Sequence, residues 1–227
     1  MTRLVMIVLM MAVVLGGTNV YASQVSLVED YTDPMQIISA HFVNSTYVDP
    51  MNYSGGAYAG ASKLVVDGTL KLGYCVEFAF SATGVSTPYQ VSPFANNDYP
   101  DKTKEEIAWI AKTYNPYTTG PDGRVNAQVA IWEIIGKSPN NSFTLNSDWS
   151  GPGKFGSAAG AEAIVWTVEH KTLDPSILSG VTWYNHEYPR YTTDIQDFVT
   201  VVPVPPSLLL FAPGLLGLAV VRRRAKN

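Results

Sequence analysis

The chain has 227 residues, 46% of them hydrophobic, with nineteen acidic and fifteen basic side chains giving a formal charge of −4, and its one cysteine excludes an internal disulfide. Five of the basic residues sit in the two hydrophobic ends, so the part between them is near −9. That balance argues against nucleic acid, whose binding rests on neutralising phosphates with Lys and Arg, and against an anionic membrane surface.

Residues 1–22 read as a cleaved signal peptide. Arg3 is the basic start, residues 4–15 are the apolar stretch, and Val20-Tyr21-Ala22 supplies small residues at the two positions a signal peptidase reads, with cleavage after Ala22. The protein is therefore expected to be exported. In an oxidising compartment a lone Cys75 is buried, paired between chains, or committed to chemistry.

Residues 23–62 show little pattern beyond a turn at Pro34-Met35-Gln36-Ile37-Ile38 and loop chemistry at Asn52-Tyr53-Ser54-Gly55-Gly56. Residues 59–66 read as a strand. Asp67-Gly68 then separates two apolar runs, a strong two-residue hairpin signal, and a partner strand covers residues 70–80, LKLGYCVEFAF. In that strand Leu70, Leu72, Tyr74, Val76, Phe78 and Phe80 alternate onto one face. Cys75 faces the other way with Lys71, Gly73, Glu77 and Ala79, a small and polar set on which another element has room to lie close to the sulfur.

Residues 81–100 are polar and irregular, with Pro88, Pro93 and Pro100 excluding a long element. A helix starts at Thr103, which stands in capping-box spacing with Glu106, and Ile107, Ile110, Ala111 and Tyr114 make its apolar stripe. Asn115-Pro116 ends it, and Lys102, Lys104 and Lys112 are expected on a solvated face. A second helix runs over residues 125–135, with Val125, Val129, Ile131, Trp132 and Ile135 toward one side and Gly136 at its end. Gln128 falls in the middle of that stripe. A buried amide without partners costs on the order of 1–3 kcal/mol, so something compensates it; a hydrogen bond to neighbouring backbone is the ordinary answer.

A third helix covers residues 156–170, with Ala158, Ala161, Ile164, Val165 and Val168 at helical spacing. After Pro175, residues 181–184 and 197–201 read as strands. The expected fold is α+β: an antiparallel β-sheet or sandwich with about three helices inserted between its N-terminal and C-terminal strands, all within a domain over residues 23–202. The remaining residues, 203–227, form a separate device. Val201 to Ser207 reads VVPVPPS, fourteen mostly apolar residues run over 208–221, and Arg222, Arg223, Arg224 and Lys226 follow. About 20 apolar residues are wanted to span a bilayer, so the length is marginal for an anchor, while the basic cluster fixes the cytoplasmic side.

This tail resembles the PEP-CTERM sorting signal of Gram-negative bacteria, with Pro203-Val204-Pro205 in place of Pro-Glu-Pro, a short helix carrying Gly214 and Gly217, and an arginine cluster. The resemblance implies recognition by an exosortase at the proline motif, transient insertion in the inner membrane, and release to the cell surface or beyond. A plain C-terminal anchor is the other reading.

Tyr58-Ala59-Gly60, Leu64-Val65-Val66, Tyr74-Cys75-Val76-Glu77, Ala108-Trp109-Ile110 and Ala127-Gln128-Val129-Ala130-Ile131-Trp132-Glu133 resemble, over roughly residues 57–171, the thioester or TQXA domain of surface adhesins. The resemblance implies an internal thioester between Cys75 and Gln128, formed by thiolate attack on the side-chain amide with loss of ammonia, and opened once by an amine or hydroxyl of a matrix or surface partner. Ala127 stands where the family has threonine, so that hydroxyl is absent. No cofactor and no turnover are implied. The alternative is a non-covalent structural protein of an exopolysaccharide or biofilm matrix in which Cys75 packs as a small hydrophobe. A cysteine hydrolase pairing Cys75 with His170 or His186 has no supporting motif.

Other signals carry little. Gly151-Pro152-Gly153 lacks the ending of a phosphate loop, the histidines His41, His170 and His186 lack zinc spacing, and Asp194 and Asp197 are expected to face solvent. Thirteen tyrosines suit a carbohydrate-contacting surface and a sheet core equally.

Overall fold

The computed structural model describes residues 21–44, 51–76, 87–92, 99–146, 149, 153–186 and 197–201. Within them lie strands β1 (Tyr21–Asn44), β2 (Met51–Val66), β3 (Thr69–Cys75) and β4 (Thr87–Ser92), then helices α1 (Asp101–Thr113) and α2 (Pro121–Gly136). Strand β5 (Asn141–Leu145), helix α3 (Ala158–Glu169), a 3-10 turn (Pro175–Leu178), β6 (Val181–His186) and β7 (Phe198–Val201) follow. The fold is α+β, with the helices between the early and late strands.

Every described strand pairing is antiparallel. The sheet runs β2-β3-β7-β6-β4-β1, and β1 also pairs with β2, so six strands close on themselves. The architecture is a curled, closed ring rather than an open sheet or a sandwich. Strand β1 makes the closure possible by its length: its first residues, Tyr21 to Val25, pair with β4, while Ala40 to Asn44 pair with β5. Two register shifts, between Leu27 and Thr32 and between Asp33 and Gln36, bend it. Closing a sheet removes exposed edges, which are otherwise templates for aggregation.

The β2–β3 hairpin turns on Asp67 and Gly68, with Val66 opposite Thr69. Both turn residues have positive φ, 47° and 77°, the two-residue geometry that matches strand twist and that Asp-Gly favours. The hairpin thus follows the sequence signal.

Other expectations are corrected. Residues 23–62 are mostly strand, not turn and loop: Ile38, Ala40 and Phe42 are buried while Ile37 is exposed, a period-two pattern diluted by the small and polar residues of β2. Residues 87–92 form β4 despite Pro88, which sits at the strand's start, where its missing N–H is tolerated. Helix α1 starts at Asp101 with Pro100 as its N-cap, so Thr103 and Glu106 make no capping box. The Thr103 hydroxyl faces Ser138 instead, and Glu106 pairs with Lys102 at 3.4 Å. Lys104 is buried rather than solvated and pairs with Asp101 at 3.0 Å, while Lys112 donates to the carbonyls of Ile177 and Ser179.

Helix α2 is the centre of the molecule. Pro121 opens it at a position where the missing N–H costs nothing. Val125, Ala127 to Trp132, Ile134 and Ile135 are all buried, a nearly all-round apolar surface rather than the single stripe expected. The reason is position: α2 packs against α1, α3, β1, β2 and β5 together. Each large side chain fully buried there contributes roughly 1.5–3 kcal/mol. Gly136 allows the close approach of β5, since a Cβ there would lie 2.6 Å from the Phe143 backbone nitrogen. Helix α3 follows the expected pattern, with Ala161, Ile164, Val165 and Val168 buried and Ser157 as N-cap, accepting from Gly160 N–H.

The expected signal peptide and sorting segment lie outside the described residues, except that the backbones of Tyr21 and Ala22 open β1 opposite Val91 and Gln90. Among the described residues no helix is long and apolar enough to cross a membrane.

Candidate functional site

Cys75 is the last residue of β3. Directly paired residues share a face of a sheet, so Cys75 lies beside Phe198, which in turn lies beside Tyr184. Tyr74, Val199 and Trp183 form the neighbouring row on the opposite face, where α1 packs on β6 and β7. The sulfur therefore stands on the face turned away from the helices.

Gln128 reaches Cys75 in the plane of the sheet instead. Val76 N–H donates to the Asp197 carbonyl at 2.9 Å, so the N–H and C=O of Cys75 point away from β7. On that side β2 pairs with β3 only as far as Ser62 opposite Gly73. The Gln128 carboxamide fills the next place: Cys75 N–H donates to Oε1 at 2.9 Å, and Nε2 donates to the Cys75 carbonyl at 2.8 Å. The side chain imitates a peptide of a missing strand. Cys75 is 3% exposed and Gln128 1%, and Cys75 is in no disulfide.

Three further hydrogen bonds fix β3 to the helical part around this pair. Tyr117 Oη accepts from Leu72 N–H at 3.0 Å, the Tyr74 hydroxyl donates to the Tyr114 carbonyl, and the Tyr99 hydroxyl donates to the Val76 carbonyl at 2.7 Å. Tyr114 caps α1, and Arg124, in the first turns of α2, donates to the Pro116 carbonyl at 3.2 Å. The connection between the two helices is thus tied to β3 on one side and to α2 on the other, which sets where Gln128 falls along the strand. Burial pushes the Tyr74 phenol well above its ordinary value, and the nearby Arg124 charge opposes the shift only in part. Tyr74 is therefore a neutral hydroxyl donor.

Ala127, at the position of the missing threonine, is completely buried. The backbone of Cys75 orients the Gln128 amide with no hydroxyl from that position. The three tyrosine hydroxyls were not singled out from sequence; the only signal was the presence of Tyr74 beside the cysteine.

Other candidate residues stand elsewhere. His170 stacks on Trp166 at 4.4 Å and its Nδ1 lies 2.8 Å from the Trp166 carbonyl, on the exposed side of α3. His186 closes β6 opposite Tyr89, and His41 sits in β1 between β2 and β5. Asp197 is buried rather than solvent-facing, and its backbone carbonyl accepts from Val76 N–H. Asp194, Pro203, Val204, Pro205, Arg222, Arg223 and Arg224 lie outside the described residues. Among the described residues no group of three or more His, Cys, Asp or Glu side chains is placed to hold a metal.

No family model, curated protein or solved structure matches this chain.

Proposed function

We propose that the protein is an exported cell-surface or extracellular protein that forms an internal Cys75–Gln128 thioester and uses it once to attach itself covalently to a partner. The observation that carries this reading is the seating of the Gln128 carboxamide on the Cys75 backbone inside a buried site. Hydrogen bonds in a sheet lie in its plane and side chains stand perpendicular to it. The amide therefore turns a π-face toward the side on which the sulfur stands, which is the side a nucleophile must use.

In the first step the Cys75 thiolate attacks Cδ of Gln128. The Cys75 N–H already donates to Oε1, where negative charge develops, as an oxyanion donor does. The C–N bond breaks, the thiol proton leaves with the amide nitrogen as ammonia, and an Sγ–Cδ bond remains. Proximity substitutes for a dedicated base and is worth on the order of 7–11 kcal/mol in well-oriented cases. In the second step an amine or hydroxyl of a surface or matrix partner attacks Cδ, the Sγ–Cδ bond breaks, and the proton returns to sulfur. The partner stays joined to the residue 128 acyl group, so there is no turnover and the protein is not an enzyme. Signal peptidase, cutting after Ala22, and an exosortase, acting at Pro203-Val204-Pro205 with Arg222, Arg223 and Arg224 holding the cytoplasmic side, complete the maturation in this reading.

The test is the intact mass of the purified protein beside its Cys75→Ala and Gln128→Ala variants, before and after methylamine. Expected is a wild-type mass short by one ammonia, a deficit missing from both variants, and addition of methylamine to wild type alone. A full mass with a thiol that alkylates removes the covalent mechanism.

One observation favours the alternative, a non-covalent structural protein of an exopolysaccharide or biofilm matrix. The same two hydrogen bonds satisfy Gln128 as an intact amide, and a satisfied amide already explains why a glutamine is tolerated in the core.

A further inference from the structure

Away from Cys75, a cleft of about 300 Å³ opens between the second half of α1 and the segment joining α3 to the 3-10 turn. Its apolar wall is Trp109 with Leu173 and Ile177; Lys112, Lys171 and Asp174 bring charge, and Thr172 and Ser176 bring hydroxyls. The volume is at the lower end of the roughly 300–1,000 Å³ of small-molecule pockets. Trp109 and Ile177 are half-buried while Lys171, Thr172 and Asp174 are exposed, so the wall is held in place and the polar groups are open to a ligand.

We infer that this cleft binds an acidic pyranose, a six-membered sugar ring bearing a carboxylate. The Lys171 ammonium stands over the Trp109 ring, 5.4 Å from its centroid. A carboxylate that pairs with this exposed ammonium draws it off the indole, and the C–H face of the attached sugar ring, apolar and flat, takes its place on the aromatic ring. Lys112 adds a second positive charge, fixed on the wall by the Ile177 and Ser179 carbonyls at 3.4 and 2.9 Å. Asp174 is held by the Ser176 backbone N–H at 2.8 Å, and these hydrogen bonds keep its carboxyl below the usual range and ionised. That carboxylate accepts from sugar hydroxyls and repels a phosphate dianion. Two ammonium groups against one carboxylate leave the cleft suited to a singly charged polyol. A flat apolar wall with hydroxyl-binding groups distinguishes this chemistry from that of an acidic peptide.

The inference stands independently of the thioester. Its test is a titration of the ¹⁵N-labelled full-length protein with sodium glucuronate, followed by the Trp109 indole N–H and the amides of Lys171, Thr172 and Asp174. Saturable shifts confined to these signals are expected, with glucose bound about tenfold more weakly and Lys171→Glu weakening glucuronate about tenfold. Lys171 is exposed, so its variant folds; Cys75→Ala, which removes any thioester, retains the binding. Absence of saturable shifts, equal affinity for glucose, an unaffected Lys171→Glu, or tighter binding of an oligo-glutamate peptide would each overturn the assignment.

Discussion

The Gln128 carboxamide and the Cys75 backbone are joined as two residues of neighbouring strands are joined, by one donated and one accepted hydrogen bond of 2.9 and 2.8 Å. Strand pairing between a helix side chain and a strand end is what lets a core helix fix the end of β3. The energetic weight therefore rests on residue 128 more than on residue 75.

Gln128→Leu keeps the volume of the side chain but removes the two hydrogen bonds it makes to the buried N–H and C=O of Cys75. At about 1–3 kcal/mol for each group, urea denaturation is expected to show a loss of roughly 2–6 kcal/mol. Cys75→Ala preserves both hydrogen bonds and, in protein where no thioester has formed, should cost only about 1 kcal/mol of lost burial. Equal losses for the two variants would contradict the strand-mimic role.

Tyr74→Phe removes the hydroxyl that ties β3 to the end of α1 and should cost about 1 kcal/mol. The folded phenol titrates above its unfolded value, so its contribution is present below that value, about 10, and is lost as pH rises beyond it. Wild type is therefore expected to lose stability above that pH more steeply than Tyr74→Phe, measured by denaturation at successive alkaline pH values.

Glu133, on α2, has its carboxyl pushed up to about 7, mainly by burial; Lys137 opposes the shift, while Glu162 and Glu169 add to it. The native state holds a proton that the unfolded state gives up near pH 4.3. Stability from this group is thus complete below that pH, declines toward about 7 and is gone above. Glu133→Gln should stabilise the protein at pH 8 by on the order of 1–2 kcal/mol after solvent screening, with little change at pH 4. Glu106 shifts in the same direction, with burial the main cause, so a smaller slope with pH persists in that variant. Comparison of denaturation midpoints at the two pH values decides the matter.

Gly68→Ala adds a side chain at φ +77° where no atom lies within 4 Å. The cost is backbone strain alone, about 1–2 kcal/mol, and should appear as a lowered Tm. A neutral result would mean that the hairpin does not use the two-residue turn.

Where local chemistry decides structure, the sequence was legible: Asp67-Gly68 set the hairpin, and the apolar spacing of residues 158–168 set α3. Gln128 was legible as a buried misfit in an apolar stripe, whereas its pairing with Cys75 was suggested only by the resemblance to a thioester domain. The closed ring was not legible, because the alternation in β1 is confined to a short stretch near Ile38, Ala40 and Phe42 and β2 is rich in small residues, and ring closure is a long-range pairing of Tyr21 to Val25 with β4. The in-plane approach of Gln128 was hidden for a similar reason. Alternation tells which face Cys75 takes but not which edge of β3 lacks a partner.

Strand β7 is paired along both edges, with β3 through Phe198 to Thr200 and with β6 through Phe198 to Val201. A force applied to β7 along its own axis loads both ladders in shear, so their bonds must yield together rather than unzip one by one. Because β3 is also held by Gln128, the same tension is passed to α2. Under the proposed attachment at residue 128, force between a joined partner and the end of β7 follows a short path through α2, Cys75 and β7 that bypasses most of the domain.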